Sequence, residues 1–356
     1  MIRPPVLSAI FVEFPDNRYA QCDLVTSVAQ ASGLSPSSIR RLVQFSKDSG
    51  VEARHLALPV EAYRHLTDIG RANDFFLEAG MQLGEKAILG ALGQAGVDAS
   101  AIDMVITTSS TGIAVPSLDA CLAERVGFRS DIKRIPMFGL GCAGGAAGVA
   151  RLNDYLLAWP DSAALLLTVE LNTLTVGPNR DSVASQAFSS LFGDAVGAVI
   201  ALGSNHPCAD RSGRARVLAT KSRLYPERAD LSGVRVGASG MEVKISPDVG
   251  EFVLRELRPA VESFLAENNH TMSDVLSWFV NPAGYGVIDA MGRALDLEPS
   301  VLDHSRDSWA QAGATSATSI IDVLRRGLSS PQPQGSLGLM ISSGPGFSFE
   351  MVLLLQ

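Results

Sequence analysis

Residues 139–148 read Gly-Leu-Gly-Cys-Ala-Gly-Gly-Ala-Ala-Gly. They follow a short strand-like run, Ile135 to Leu140, and lead into a helix of small residues from Ala143 to about Trp159. Glycine costs about 1 kcal/mol per helix position relative to alanine. A helix made of Gly and Ala is therefore sensible only where other backbones approach it closely. The segment predicts a buried central helix, and a central helix needs layers of structure on both sides. Cys142 stands at its start, where the helix dipole and unpaired N–H groups favour a thiolate. Taken alone, the segment also fits a buried structural cysteine.

The rest of the chain alternates strands with helices. A helical pattern over 78–96 ends at Gly96, and Ile102 to Thr108 reads as a buried strand. A helix follows Ser117 and ends near Gly127, and Ala164 to Leu171 and Ala195 to Leu202 read as strands. Residues 203–215 are polar, with one Pro and two Gly, and read as a hinge. Beyond it the alternation repeats: strand 216–223, helix 249–267, strand 276–280, helices 284–295 and 314–327, and strands 336–342 and 348–355. The expected architecture is α/β in two halves, residues 1–205 carrying Cys142 and residues 216–356.

The 356 residues suit about two domains. With 46% hydrophobic and 19% charged residues, wholesale disorder is excluded. A net charge of −8 disfavours nucleic acid or an acidic membrane as the main partner. The most apolar stretches, such as Ala163 to Val169, fall far short of the roughly 20 residues that span a bilayer. No signal peptide is legible at the N-terminus, and a cytoplasmic location is expected. Cys22, Cys121, Cys142 and Cys208 form no CxxC pair, so neither a metal site nor a disulfide framework is expected. Each is most simply a small buried hydrophobe.

Five segments in order carry a resemblance to a known family. They are Gly141-Cys142-Ala143-Gly144-Gly145, Thr111-Gly112-Ile113-Ala114-Val115-Pro116, Leu191-Phe192-Gly193-Asp194, Trp278-Phe279-Val280-Asn281-Pro282-Ala283-Gly284 and Gly344-Pro345-Gly346. Together they resemble the motifs of type III polyketide synthases, the chalcone and stilbene synthases of the thiolase superfamily. The resemblance implies a homodimer of thiolase-like subunits with two similar halves in an αβαβα arrangement. It makes Cys142 the nucleophile that accepts an acyl group from an acyl-CoA or other acyl thioester. Acyl-CoA and malonyl-CoA are then substrates, with no bound cofactor and no metal. An acyl carrier protein or a complete synthase is a further partner that the resemblance leaves open.

The same resemblance assigns the remaining site positions. The family's catalytic His falls at Asn281 and its catalytic Asn at Ala314. Phe192 matches a gatekeeper aromatic between CoA tunnel and cavity. Ser110, Thr111, Asn172, Thr175, Gly240 and Ser316 match pocket-lining positions, although ordinary core packing would explain small residues there equally well. Val115 falls where the family places a Met that reaches into the partner subunit. Gly344-Pro345-Gly346 matches the loop shaping the cavity floor. Basic residues for CoA are expected on a helix spanning 37–46 and the turn after it. Arg41 matches one, Gln44 and Asp48 replace two others, and Arg40 and Lys47 stand close by.

The two replacements have a physical meaning. Asn281 can donate a hydrogen bond but does not titrate near neutrality, and Ala314 offers nothing polar. None of His55, His65, His206, His270 and His304 is an obvious substitute, since all lie in polar or loop-like contexts. Acid–base help is worth about 10²–10⁴ in rate and one oxyanion donor about 10²–10³, so malonyl decarboxylation should suffer most. Three readings follow: a working condensing enzyme, an acyltransferase without malonyl decarboxylation, or a non-catalytic partner subunit or binding protein. An intact nucleophile argues against the third.

Overall fold

The computed structural model describes residues 3–31, 35–175, 190–210, 215–237, 240–330 and 332–356. Nine strands form one mixed sheet: β1 (Val6–Glu13), β4 (Ile102–Ser109), β5 (Lys133–Phe138), β6 (Ala163–Leu171), β7 (Asp194–Leu202), β8 (Ala215–Leu224), β11 (Val275–Val280), β12 (Leu337–Gly344) and β13 (Ser348–Leu355). Two small hairpin sheets pair β2 (Asn17–Ala20) with β3 (Ala53–Leu56) and β9 (Ser232–Gly237) with β10 (Gly240–Ile245). The order across the large sheet is β11-β12-β13-β8-β1-β7-β6-β4-β5. Strands before residue 203 thus occupy one flank, and strands after 214 the other. The seam is narrow: β1 pairs with β8 only at Val6↔Arg216 and Leu7↔Ala215. Parallel pairs join β4 to β5 and β6, and β11 to β12.

The helices are α1 (Gln21–Ala31), α2 (Pro36–Asp48), α3 (Ile69–Ala95), α4 (Leu118–Val126), α5 (Gly144–Ala158), α6 (Val249–Glu267), α7 (Tyr285–Leu295), α8 (Asp303–Ala312) and α9 (Ala317–Gly327). Side-chain alternation along the strands sorts them into layers. Leu165, Leu167 and Val169 of β6 join a core with Leu83, Ala87 and Ile88 of α3 and Leu122 of α4. Ala164 and Leu166 of the same strand join another core with Val149 of α5 and Ile320 of α9. On the far flank, Val352 and Leu354 of β13 face that middle core, whereas Met351 and Leu353 face Phe252 of α6 and Met291 of α7. Helices α5 and α9 are therefore sandwiched between the flanks of the sheet, giving five layers.

Several boundaries move. The strand expected at Ile135–Leu140 runs from Lys133 to Phe138, and the helix expected from 78 begins at Ile69. The last central helix begins at Ala317, not at 314, because Ala314 is paired with Phe192 in a β-bridge. Of the predicted hinge, 211–214 lie outside the described residues. Cys22 and Cys121 are exposed, correcting the expectation of four buried cysteines. On α4, Leu118, Leu122 and Val126 take the inward stripe, which leaves Cys121 outside. Among the described residues no helix is long and apolar enough to cross a membrane.

Candidate active site

Cys142 sits in a tight turn, Gly141–Ala143, that feeds directly into α5. Three elements close on it. The Ser342 hydroxyl at the end of β12 donates to the Cys142 carbonyl at 2.6 Å. A Cβ on Gly344 would lie 2.5 Å from the Cβ of Ala143, so only glycine lets the 344–346 turn rest there. A Cβ on Gly145 would lie 2.2 Å from the carbonyl oxygen of Ala317. This is the close backbone approach that the glycine-rich helix implied. The cysteine thus stands where α5, α9 and β12 converge.

Cys142 is half-buried, and the side chains of Ser316 and Asn281 are close enough to favour its thiolate. Asn281 follows β11, is 1% exposed, and donates its backbone N–H to Ile341 at 2.9 Å. Its amide oxygen is buried with no hydrogen-bond partner among the described residues. Ser316 precedes α9 at a φ of 49°, a left-handed conformation that costs a non-glycine residue about 1–3 kcal/mol.

The expected low thiol pKa is not what this surrounding produces. Burial pushes the Cys142 thiol up, and the nearby Glu170 carboxylate pushes it further, to about 11. The nearby side chains of Ser316 and Asn281 only partly offset this. Desolvation and a like charge outweigh the benefit of the helix start.

Glu170 is the site residue that the motif reading missed. It lies on β6 and is fully buried. Its even-numbered position turns it, with Thr168, toward α9, where the Thr168 and Thr318 hydroxyls meet at 2.7 Å. The carboxylate accepts from the Ser110 N–H at 3.2 Å and the Ser110 hydroxyl at 3.1 Å. Burial nevertheless raises its pKa to about 8. The available signal was a lone Glu inside the apolar run Ala163-Ala164-Leu165-Leu166-Leu167-Thr168-Val169-Glu170-Leu171.

The Phe192 segment is held from both sides. Leu191 O accepts from Ala314 N at 2.8 Å, and Ala314 O accepts from Gly193 N at 3.0 Å. Opposite, buried Arg54 donates to Phe192 O at 2.9 Å and to Gln21 at 2.8 Å, while Gln21 donates to Ser190 O at 2.6 Å. Asp194 receives the Ala57 N–H at 2.6 Å and the Thr173 N–H at 2.8 Å. Burial lowers the Arg54 pKa to about 10 despite Asp194, and raises that of Asp194 to about 6.

Other expected positions scatter in role. Thr111 and Thr175 line an apolar cavity of about 320 Å³ with Leu66, Leu174, Ile113 and Met241, the last beside Gly240. Ser110 is engaged with Glu170. The Asn172 amide donates to Gly193 O at 2.7 Å, which makes it a brace for the Phe192 segment. Val115 is 93% exposed. Pro345 packs against Gly141, and Gly346 holds a φ of 118°. Arg40 and Lys47 are exposed on α2, and Arg41 donates to Ser38 at 2.9 Å. His55 is half-buried, with Nδ1 2.8 Å from Pro15 O, and His206, His270 and His304 are half-buried too; only His65 is fully at the surface as expected.

A five-layered α/β fold with a cysteine at the head of its central helix defines a thiolase-like condensing-enzyme class. Residues 7–206 match the family of chalcone and stilbene synthases, N-terminal domain, and residues 217–356 the corresponding C-terminal domain. The chain therefore belongs to the chalcone and stilbene synthase family, the type III polyketide synthases, which act on small-molecule CoA thioesters. It is 43% identical over 353 residues to a 1,3,6,8-tetrahydroxynaphthalene synthase of Streptomyces peucetius subsp. caesius, covering 98% of this chain and 92% of that protein. It is 30% identical to a putative chalcone synthase of Bacillus subtilis, covering 88% of each. The crystal structure of the 1,3,6,8-tetrahydroxynaphthalene synthase of Streptomyces coelicolor A3(2) superposes with a TM-score of 0.90 at 26% identity, over 98% of this chain and 99% of that one. The polyketide synthase PKS-I of the brown alga Ectocarpus siliculosus shares the fold with a TM-score of 0.92 at 21% identity, covering 100% of this chain and 99% of that one.

Proposed function

We propose that this chain is a polyketide-forming acyltransferase with an atypical active site. Cys142 takes an acyl group from an acyl-CoA. The acyl-enzyme then reacts with a carbanion derived from malonyl-CoA, and the product is a polyhydroxylated aromatic of the kind named for the 43% identical relative. One observation carries the reading: Cys142 stands half-buried in the turn that opens α5, its carbonyl held by the Ser342 hydroxyl where α5, α9 and β12 converge. In the loading step the cysteine S–H proton leaves, sulfur bonds the thioester carbonyl carbon, and CoA departs as its thiol. Asn281 supports this as a donor to the sulfur and to the carbonyl oxygen as negative charge develops there.

Asn281 and Ala314 supply no titrating group, and this favours a second reading in which acyl transfer proceeds without malonyl decarboxylation. Arg40, Arg41 and Lys47 on α2 are the proposed CoA contacts. Phe192, held by Arg54 and Ala314, is the proposed gate to the cavity lined by Thr111 and Thr175. Val115 is proposed to meet the partner of a homodimer.

Intact mass after incubation with a panel of acyl-CoAs and malonyl-CoA tests the reading. An acyl adduct that disappears in Cys142→Ala is expected, with CO₂ release and a lengthened product. An adduct without CO₂ selects the second reading. No adduct from any CoA ester overturns both.

A further inference from the structure

A gate works only if its ring stands in one place, and the direction of a side chain is set by the two peptide planes that flank its Cα. Around Phe192 both planes are pinned. The plane before it carries Leu191 O, which accepts from Ala314 N at 2.8 Å. The plane after it is gripped at both ends: Gly193 N donates to Ala314 O at 3.0 Å, and Phe192 O accepts from Arg54 Nη1 at 2.9 Å. The first two grips are backbone, and the third is a side chain. We infer that Arg54 is a positioning residue: its bond to the Phe192 carbonyl fixes where the Phe192 side chain stands relative to Cys142. The inference rests on reading Phe192 as the gate and deepens it.

The chemistry of Arg54 fits that task. It is 2% exposed on β3, and burying a charge is costly enough to ask for a role. A guanidinium offers a rigid planar fork of donors. Its Nε donates to Gln21 Oε1 at 2.8 Å, while Nη1 reaches Phe192. Gln21, itself buried, donates to Ser190 O at 2.6 Å. Arg54 is thereby tied to two carbonyls of the same segment, one directly and one through Gln21. Its stem is boxed in as well. A Cβ on Gly313 would lie 3.3 Å from Arg54 Cδ, and a Cβ on Gly193 would lie 2.2 Å from Ala312 O. Arg54 therefore covers the crossing of 191–193 with 312–314.

That crossing leads to the nucleophile. Ala317, on the same stretch of backbone as Ala314, sets its carbonyl oxygen 2.2 Å from where a Cβ on Gly145 would stand, just past Cys142 in the chain. The gate segment and the Cys142 turn are thus registered against one piece of backbone, 312–317. An arginine that only stabilised the fold would leave their relation unchanged when replaced. One that positions Phe192 would not.

The test labels Cys142 with two maleimides of the same chemistry and different girth, N-ethylmaleimide and pyrene maleimide. It reads the Cys142 peptide by mass, which separates it from exposed Cys22 and Cys121. Neither reagent needs a thioester, and in the parent the bulky one should lag. In Arg54→Met, and in Arg54→Lys, whose ammonium cannot copy the fork, the ratio of bulky to small rates should rise about 10-fold or more. Phe192→Ala should raise it as much, and Arg54→Lys added to Phe192→Ala should raise it no further. Gln21→Met should move it the same way, so that Arg54→Lys and Gln21→Met carry the test where Arg54→Met fails to fold. A lower melting temperature with an unchanged ratio overturns the proposal. So does an Arg54 effect that persists undiminished without the Phe192 ring, or a parent whose Cys142 takes neither reagent. The expected ratios without any acyl-CoA adduct instead overturn the reading of the substrate and leave Arg54 in its role.

Discussion

At position 281 an amide stands beside the thiol, and an amide neither gains nor loses a proton near neutrality. In the proposed reading, Asn281 and the methyl group of Ala314 stand where the family motif would supply an acid–base group and a second donor. Asn281→His combined with Ala314→Asn should raise CO₂ release from malonyl-CoA by about 10²–10³, read with labelled malonyl-CoA. An unchanged rate would mean that decarboxylation in this chain does not use those positions. The motif order made Cys142, Asn281 and Ser316 legible from the sequence. Glu170 was not, because a motif search passes over a single acid inside an apolar strand. The raised thiol pKa was also hidden, since it arises from burial and from a residue on another strand.

At the scale of elements, the crossing of α5 and α9 is the most demanding contact. Gly145→Ala would push a methyl to within 2.2 Å of the Ala317 carbonyl oxygen and should cost at least about 1–3 kcal/mol. Gly93, inside α3, meets nothing within 4 Å, so Gly93→Ala should instead add about 0.5–1 kcal/mol. Thermal melts of the two variants should move in opposite directions, and a shared direction would refute the packing argument. The apolar strands and the Gly/Ala helix were readable because their composition tolerates one environment only. The β9–β10 hairpin was not, since its Val234 and Val236 face solvent and its sequence carries no burial signal. Helix α8 was missed for a related reason: Asp303-His304-Ser305-Arg306-Asp307 masks the buried Ser308 and Trp309.

For the molecule as a whole, part of the apolar exposure lies along one edge of the large sheet. The edge strand β5 shows Ile135 and Phe138 at 42% and 65%, and the loop after β4 shows Ile113 at 57% and Val115 at 93%. An edge strand bearing such side chains invites a partner. Light scattering should therefore report twice the 37.5 kDa chain mass, and Phe138→Lys should shift it toward the single-chain value. A monomer before substitution would sink that expectation. The Cys142 turn also has a bearing on biosynthesis. Its carbonyl is pinned by a hydroxyl 200 positions further along the chain, and the side chains that favour its thiolate arrive only with residues 281 and 316. A ribosome must therefore deliver β12 before the Cys142 turn is held in place, and clipping the final two strands should abolish the proposed acyl loading.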